Sequence, residues 1–389
     1  MYSLFSLNIL NDTNDNNDTN DNNDTMIHIA LGTKAQVVKM APVLWRLKAK
    51  NIPYNLIDLG QHALLSKELR AEFSLDEPGA CLSRGRDIAT LPQAFIWLSG
   101  MLLRSASSAW IKRNVFHGKS GICLVHGDTI STLLGLYLAK RAGLPVAHIE
   151  AGLRSFHWNA PFPEEIVRLI AMKFSDILFA PSAWAYQNLD GMGYKDKSVL
   201  MPANTSFETA RFSFERNRNI QPRERGYCLV TFHRFENIFS KRRIEFIVDT
   251  IERACSHMPV VFVQHSPTAR QLNKYGLLRK VLGMRNIESC AIVSHRQFMF
   301  LLEQCACVLT DGGSIQEEAY YLGKPCLLLR AHTERSEGLG ENVVLSRFDK
   351  TIAGSFITGY PAFNRENKLM QPLLFTASEV IVDRLREYA

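Results

Sequence analysis

The chain has 389 residues, of which 46% are hydrophobic and 21% charged, and this is typical of a globular protein too long for one ordinary core. Its net charge of +7 comes from basic residues spread along the chain, and zinc-finger, RNP and helicase-type signatures are absent, so we expect a phosphate-bearing small molecule and no nucleic acid as partner. The eight cysteines have no metal-ligand spacing, which indicates reduced core residues of a cytoplasmic protein and no metal site.

Residues 11–25 are built from the hexapeptide NDTNDN, which cannot bury apolar surface. The short apolar start lacks a basic flank and a small-residue cleavage site, so we expect no secretory signal. We therefore predict a disordered Asn/Asp-rich leader over residues 1–25 and a first strand that opens at Met26.

Short apolar strands alternate with helical patterns along the rest of the chain, and this alternation predicts right-handed βαβ units in parallel sheets. The predicted strands form one series at 27–32, 54–60, 122–128, 145–150, 177–180 and 198–201, and a second at 227–231, 259–264, 291–294, 305–310 and 325–329. We therefore predict an α/β protein without a membrane span. It has doubly wound, Rossmann-like domains at 26–210 and 222–375, a cleft between them, and a C-terminal helix at 376–389.

Three acidic side chains are predicted on the cleft side of the first domain. Asp128 and Glu150 each stand at the carboxyl tip of an apolar strand, and Glu164 begins a helix together with Glu165, with Arg168 one turn further on. Helix capping by Asp128 and complementation of the helix dipole by the glutamate pair are the structural alternatives. If the three carboxylates converge, their repulsion raises at least one pKa and supplies both a base and an acid.

Basic side chains follow other predicted strands. Lys34 and Lys39 come after the first strand, where a phosphate-facing loop is expected, and Arg335 follows a late strand. His233 and Arg234 come directly after the strand YCLVTF, and His233 is either a donor to a leaving diphosphate or a packed imidazole. No G-x-G-x-x-G fingerprint is present, so we expect no nicotinamide cofactor.

The stretch LTDGGSIQEEAYYLGKPCLLL combines a buried strand, a tight turn and a helix. Backbone N–H groups at Gly312, Gly313 and Ser314, together with the dipole of the following helix, form a seat for an anion such as a diphosphate. We predict Glu317 and Glu318 in the first turn of that helix, where a carboxylate can accept both hydroxyls of a ribose. The alternative is that the glycines only make a tight turn.

Five motifs occur in order between residues 26 and 340: GTKAQVVKMAPV, VHGDTISTLL, AHIEAGLRSF with PFPEEIVR, TFHRFEN, and LTDGGSIQEEAYYLGKPCLLLR with TER. Jointly they resemble the UDP-N-acetylglucosamine 2-epimerase family, which has a GT-B fold. The resemblance implies a reaction without redox chemistry or cofactor. In it the enzyme removes the C2 proton, expels UDP by anti elimination to give 2-acetamidoglucal, and re-adds UDP to give UDP-N-acetylmannosamine for surface polysaccharide precursors. It also implies a homodimer.

The same resemblance implies roles for individual residues. Asp128, Glu150 and Glu164 would be the acid/base carboxylates, and His233 would contact the UDP diphosphate. The substrate-binding positions would be Lys34, Lys39, Arg168, Gly312, Gly313, Ser314, Glu318 and Arg335. Gln61 and His62 match a loop that in some family members binds a second, activating UDP-N-acetylglucosamine.

The chain also departs from the family pattern. The first loop usually reads Gly-Thr-Arg-Pro-Glu, whereas here Lys34 and Gln36 stand in it, so a bidentate phosphate contact becomes a point charge. The phosphate turn usually reads Ser-Gly-Gly, whereas here the hydroxyl comes last, on Ser314. Two alternatives stay open: a hydrolysing 2-epimerase that releases UDP and free N-acetylmannosamine, and a GT-B glycosyltransferase or nucleotide-sugar binder.

Overall fold

A computed structural model describes residues 25–60, 63–82, 99–100, 105–157, 163–218, 220, 226–372 and 374–388 of the chain. Residues 1–24 of the predicted leader 1–25 and the pair Gln61 and His62 lie outside these residues, whereas Thr25 already belongs to the first strand. Two parallel sheets, one in each half of the chain, form its framework.

The first sheet has seven strands in the order β3-β2-β1-β4-β5-β6-β7, all parallel. The strands are β1 (Thr25–Leu31), β2 (Tyr54–Asp58), β3 (Ala80–Cys81), β4 (Ser120–His126), β5 (Val146–Ile149), β6 (Ile177–Ala180) and β7 (Ser198–Leu200). The central strands are buried on both faces, which explains their continuous apolar sequences.

The second sheet has six parallel strands in the order β10-β9-β8-β11-β12-β13. They are β8 (Cys228–Thr231), β9 (Val260–Gln264), β10 (Ile287–Ala291), β11 (Cys307–Thr310), β12 (Cys326–Leu328) and β13 (Val343–Leu345). Both strand orders reverse at a central strand, as in doubly wound folds, so a crevice opens at the carboxyl ends of the strands.

Helices cover both faces of the two sheets. Those of the N-terminal half are α1 (Lys34–Ala49), α2 (Ala63–Glu72), α3 (Ser108–Asn114), α4 (Ile130–Ala142), α5 (Glu164–Phe174), α6 (Ala183–Gly191) and α7 (Thr205–Asn217). Those of the C-terminal half are α8 (Phe235–Ile238), α9 (Lys241–Cys255), α10 (Ser266–Lys274), α11 (Leu278–Leu282), α12 (His295–Gln304), α13 (Gly313–Tyr321), α14 (Lys350–Gly359) and α15 (Ala377–Leu385). No helix in the described part of the chain has the length and apolarity of a membrane span.

Two helices tie the halves together. On α7, Phe207 and Phe214 are buried in a core cluster with strands of the second sheet, while the Thr209 hydroxyl donates to the Val38 carbonyl of α1 at 2.7 Å. The C-terminal helix α15 returns to the N-terminal half, where Ile381 and Leu385 join the core under the first sheet. This helix runs from Ala377 to Leu385.

The prediction of a strand at 291–294 is wrong. The strand is Ile287–Ala291, and Ser294 is the N-cap of α12, where its hydroxyl accepts from Gln297 N. The short outer strands β3 and β13 were not predicted at all. All eight cysteines are free thiols and six are buried.

Candidate active site

The crevice at the strand tips holds two groups of charged side chains. We call the first the central ion cluster, which comprises Lys39, Glu150, Asn204, Glu317 and Arg335. Glu150 Oε1 accepts from Lys39 Nζ, from Asn204 Nδ2 at 2.5 Å and from Arg335 Nη2 at 3.0 Å. Glu317 accepts from Asn204 Nδ2 at 2.8 Å and from Arg335 Nη1, and its Oε2 lies 3.5 Å from Lys39 Nζ. Two cations and two anions from both halves of the chain are thus neutralised in one buried group.

Glu150 is held in this cluster by its backbone as well as by its partners. It follows β5 directly and adopts a φ of 71°, which is a left-handed conformation that costs a residue other than glycine about 1 kcal/mol. Burial alone would raise the pKa of Glu150, but the cations of Arg335 and Lys39 outweigh burial and hold the pKa well below its ordinary value. The carboxylate is therefore ionised at neutral pH, as a base must be.

We call the second group the arginine–acid cluster, which comprises Asp128, Glu164, Arg168, Arg234, Arg330 and Glu334. Arg168 Nη2 donates to Asp128 Oδ2, and Arg234 Nη1 donates to Glu164 Oε1 at 3.1 Å. Asp128 and Glu164 are therefore each paired with one guanidinium, and the Arg234 pair joins the two halves of the chain. Arg168 lies one turn after Glu164 on α5, as predicted, and its guanidinium also donates to Glu165 at 3.3 Å.

Glu164 has the opposite electrostatic character to Glu150. Burial raises its pKa, Arg234 opposes that effect, and the charge of Asp128 adds to it, so the pKa ends above its ordinary value. Its Oε2 is buried and has no hydrogen-bond partner among the described residues. Glu164 is thus suited to carry a proton, and the two glutamates have pKa values that are shifted apart.

The glycine turn stands beside His233. Asp311, which precedes the turn, accepts from the backbone N–H groups of His233 at 3.0 Å and Arg234 at 2.9 Å, and from Asn237 Nδ2 at 2.9 Å. The His233 ring stacks on His265 at 4.4 Å between centroids. Enclosure in the crevice lowers the pKa of His233, so the ring is a neutral hydrogen-bond donor near pH 7.

Gly313 is the junction between the turn and both clusters. An added Cβ at Gly313 would lie 2.8 Å from Arg335 Nε and 3.1 Å from Glu334 Oε1. Gly312 is the N-cap of α13, and a Cβ there would lie 3.1 Å from the flexible side chain of Ile315 and in ordinary contact with the Thr310 hydroxyl at 3.5 Å. The N-terminus of α13 therefore lies against one residue of each cluster.

Glu317 and Glu318 lie in the second turn of α13, because the helix already begins at Gly313, and this corrects the prediction of the first turn. Glu318 Oε1 lies 3.1 Å from His295 Nε2, and His295 Nδ1 lies 3.2 Å from the Ser213 hydroxyl. Lys34 faces Glu318 from the N-terminal half, although burial lowers the pKa of Lys34. Glu317 is committed to the central ion cluster, so Glu318 is the acid available to a ligand.

Gln36 fixes the first loop against the tip of β4. Its Oε1 accepts from Gly32 N at 2.8 Å, and its Nε2 donates to the His126 carbonyl at 2.7 Å. It also bonds the hydroxyls of Ser131 and Thr132 at 3.0 and 3.1 Å. The glutamine at this position thus keeps the start of α1, which carries Lys34, packed against the loop that carries Asp128.

Glu337 should make the stability of the protein depend on pH. Burial and the nearby charge of Glu317 raise its pKa to about 7, from an ordinary 4.5. Because the folded state binds this proton more tightly than the unfolded state, ionisation of Glu337 lowers stability as the pH rises from 4.5 to 7. We expect Glu337→Gln to match the parent below pH 4.5 and to be more stable above pH 7, measured by urea denaturation at both pH values. Equal midpoints at pH 8 would contradict this assignment.

The crevice therefore brings together most of the residues singled out from the sequence. Within the described part of the chain these are Lys34, Lys39, Asp128, Glu150, Glu164, Arg168, His233, Gly312, Gly313, Ser314, Glu318 and Arg335. Gln61 and His62 lie outside the described residues. Sequence reasoning gave no role to Asn204, Asp311 and Glu334, and it assigned Glu317 only to a ligand.

Comparisons with known proteins identify the family of the chain. Residues 46–353 match the family model for UDP-N-acetylglucosamine 2-epimerase. The Methanocaldococcus jannaschii UDP-N-acetylglucosamine 2-epimerase is 30% identical over 334 residues, covering 82% of this chain and 88% of the relative. A Pseudomonas aeruginosa UDP-2,3-diacetamido-2,3-dideoxy-D-glucuronate 2-epimerase is 36% identical over 229 residues, 57% of this chain and 62% of the relative.

A solved structure gives the same result for the fold. The M. jannaschii UDP-GlcNAc 2-epimerase in complex with UDP-GlcNAc and UDP superposes with a TM-score of 0.80 at 27% identity, covering 94% of this chain and all of that chain. The GT-B fold expected from the motifs is confirmed. The chain is therefore an enzyme of the UDP-N-acetylglucosamine 2-epimerase family.

Proposed function

We propose that the protein interconverts UDP-N-acetylglucosamine and UDP-N-acetylmannosamine without hydrolysis. The observation that carries the proposal is the junction at Gly313, where the N-terminus of α13 meets Arg335 of one cluster and Glu334 of the other. A diphosphate on that helix end would place the attached sugar among the acids of both clusters.

UDP would be held by groups from both halves of the chain. The N–H groups that begin α13 and the neutral His233 ring donate to the diphosphate, Lys34 adds positive charge, and Glu318 accepts from the ribose hydroxyls. Positive potential at the diphosphate favours departure of UDP with the electron pair of the C1–O bond.

The two glutamates divide the proton transfers. Glu150, which is ionised, takes the C2 proton while the C1–O bond breaks and a C1–C2 double bond forms. Glu164, whose pKa is raised by burial, returns a proton to C2 from the opposite face, and UDP adds back at C1. Asp128, bound to Arg168, sits at the tip of the strand beside Glu150 and assists the proton transfers at C2.

Incubation with UDP-N-acetylglucosamine in deuterated water tests the proposal. We expect a sugar nucleotide that carries deuterium at C2 and a second sugar nucleotide epimeric at C2, both seen by NMR. UDP with free N-acetylmannosamine would instead show the hydrolysing reaction, and no deuterium at C2 would exclude epimerisation of this substrate.

The sugar itself has a second candidate. The Pseudomonas relative acts, by its name, on a 2,3-diacetamido-glucuronate, and its identity of 36% exceeds that of the Methanocaldococcus enzyme at 30%, although over a shorter part of the chain. UDP-2,3-diacetamido-2,3-dideoxy-D-glucuronate therefore belongs in the same exchange experiment. Faster C2 exchange with that compound would assign it as the substrate, with the same acids in the same roles.

We also place the reaction in the cytoplasm, in a homodimer that supplies precursors of surface polysaccharides. Eight free thiols favour a reducing compartment, and the dimer and pathway follow from the family resemblance.

Gly313→Ala should impair UDP binding much more than Gly312→Ala. A Cβ at Gly313 displaces Arg335 and Glu334, and overpacking of this kind corresponds to a loss of about tenfold to a hundredfold in affinity. Gly312 has a φ of −81°, which alanine adopts freely, and only the Ile315 side chain must give way. Titration calorimetry with UDP measures both affinities. Equal affinities in the two variants would contradict the role given to Gly313.

A further inference from the structure

We propose that Glu334 is a positioning residue that holds Arg168 and Arg234, and through them the two acids Asp128 and Glu164, in the geometry needed for chemistry at C2. The inference rests on the proposed function, because it takes those acids as the ones that act on the sugar. It assigns a role to a carboxylate that touches no reacting atom.

The loop that carries Glu334 is held in place by hydrogen bonds to the Gln316 side chain of α13. Gln316 Nε2 donates to the Glu337 carbonyl at 2.9 Å and to the Arg335 carbonyl at 3.3 Å, and Gln316 Oε1 accepts from the Thr333 hydroxyl at 2.9 Å. These three bonds hold the residues on both sides of Glu334, and the Glu334 side chain is 1% exposed. The carboxylate therefore has a defined direction, into the crevice.

Three guanidinium groups surround that carboxylate. Arg330 Nη1 lies 2.9 Å from Glu334 Oε2, and Nη2 of both Arg168 and Arg234 lies 3.6 Å from Glu334 Oε1. Neither oxygen of Glu334 has a directional hydrogen bond among the described residues, so the attraction is mainly one of charge. Burial would raise the pKa of Glu334, but these three cations outweigh burial and keep the pKa well below its ordinary value.

Glu334 Oε1 thereby bridges two acid–arginine pairs. Arg168 uses the same Nη2 for Asp128 and Glu334, and Arg234 uses Nη1 for Glu164 and Nη2 for Glu334. Asp128, Glu164 and Arg168 come from the N-terminal half, whereas Arg234 and Glu334 come from the C-terminal half. The Glu334 carboxylate, from the C-terminal half, thus fixes the positions of both acid–arginine pairs when the two halves are in contact.

The charge of Glu334 has a predictable effect on the acids. It offsets part of the positive charge of Arg234, which would otherwise stabilise the ionised form of Glu164 more strongly. The other titratable or charged groups that face this set are Glu165 on Arg168, Glu236 near Glu164, His126 and His148 near Asp128, and Arg335 near Glu334. Removal of the Glu334 charge alone should therefore lower the pKa of Glu164.

The test is the pH dependence of C2 deuterium exchange at saturating substrate. In Glu334→Gln the alkaline limb, which Glu164 sets as the acid, should move to lower pH by about one unit. Glu334→Asp keeps the charge, so its profile should keep the parental pH values at a reduced rate. Glu341→Gln, the same change on an exposed residue of the same loop that pairs with Lys368 at 3.6 Å, should match the parent in rate and profile.

Thermal unfolding and UDP affinity identify variants that have lost their fold. If Glu334→Gln has lost its fold, the test is made with Glu334→Asp. A Glu334→Gln protein that is folded and slower, with an unshifted profile, would overturn the inference and leave the proposed function standing. A profile in Glu334→Asp that moves like that of Glu334→Gln would overturn it as well. Absence of C2 exchange in the parent protein at every pH would instead overturn the proposed function.

Discussion

Glu150→Gln is expected to abolish C2 exchange while UDP remains bound. The amide keeps the shape of the side chain but cannot take a proton, and the loss of a positioned base slows a reaction by about 10²- to 10⁴-fold. We therefore expect deuterium incorporation from deuterated water to fall by about 10³-fold in either direction of the epimerisation.

In Glu150→Gln the affinity for UDP should change differently from the rate of C2 exchange. Without the Glu150 charge, Lys39 and Arg335 share only Glu317, so one positive charge in the central ion cluster is no longer neutralised. An excess of positive charge near the glycine turn favours the anionic ligand, and the affinity for UDP should be unchanged or higher. A purely structural role for Glu150 predicts the reverse, since a disordered crevice would lose UDP as well.

The measurements are C2 exchange followed by NMR and UDP affinity followed by calorimetry. Glu245→Gln is the matched control, because Glu245 is an exposed residue of α9 whose partner is Lys241 at 3.9 Å. Exchange at the parental rate in Glu150→Gln would show that another group removes the C2 proton. A parallel loss of exchange and UDP affinity would return Glu150 to a structural role.

The meeting of the acids with the glycine turn could be predicted from sequence because parallel strands end at one edge of a sheet. Asp128 and Glu150 follow strands that pair directly, with His126 opposite Ile149, so their proximity follows from two apolar runs and a polar residue after each. The partners of these acids could not be predicted in this way. Arg335 lies 185 residues from Glu150, and periodicity relates only neighbours on one element.

The missed and displaced strands have a common cause. β3, β10 and β13 are three of the four outermost strands of the sheets, and β10 consists of half-buried and exposed residues instead of a buried run. Because Glu288 and Ser289 are polar, β10 has no continuous apolar run in the sequence. Ile292 and Val293, which follow β10, do form a short apolar run that suggests a strand. Edge strands need one apolar face only, so hydrophobic runs are a poor guide to their ends.

Loss of Glu317 is expected to destabilise the fold strongly. The side chain has no exposed surface, and it balances Lys39 and Arg335 while it accepts from Asn204 and the Ser206 hydroxyl. Removal of one member of a buried ion pair leaves an uncompensated charge and costs about 3–5 kcal/mol. Glu317→Leu should therefore lower the urea midpoint clearly, with UDP absent so that ligand binding does not mask the effect.

The size of that loss depends on the charge left behind and not on the number of contacts removed. The central ion cluster contains two cations and two anions, so Glu317→Leu leaves one positive charge in excess, whereas Glu317→Leu with Lys39→Met leaves Glu150 and Arg335 as a neutral pair. We expect the double variant to be more stable than Glu317→Leu alone, although it has lost more hydrogen bonds. If the stability losses caused by the two single substitutions instead add up in the double variant, each hydrogen bond contributes independently. The net charge of the cluster then does not determine the stability of the protein.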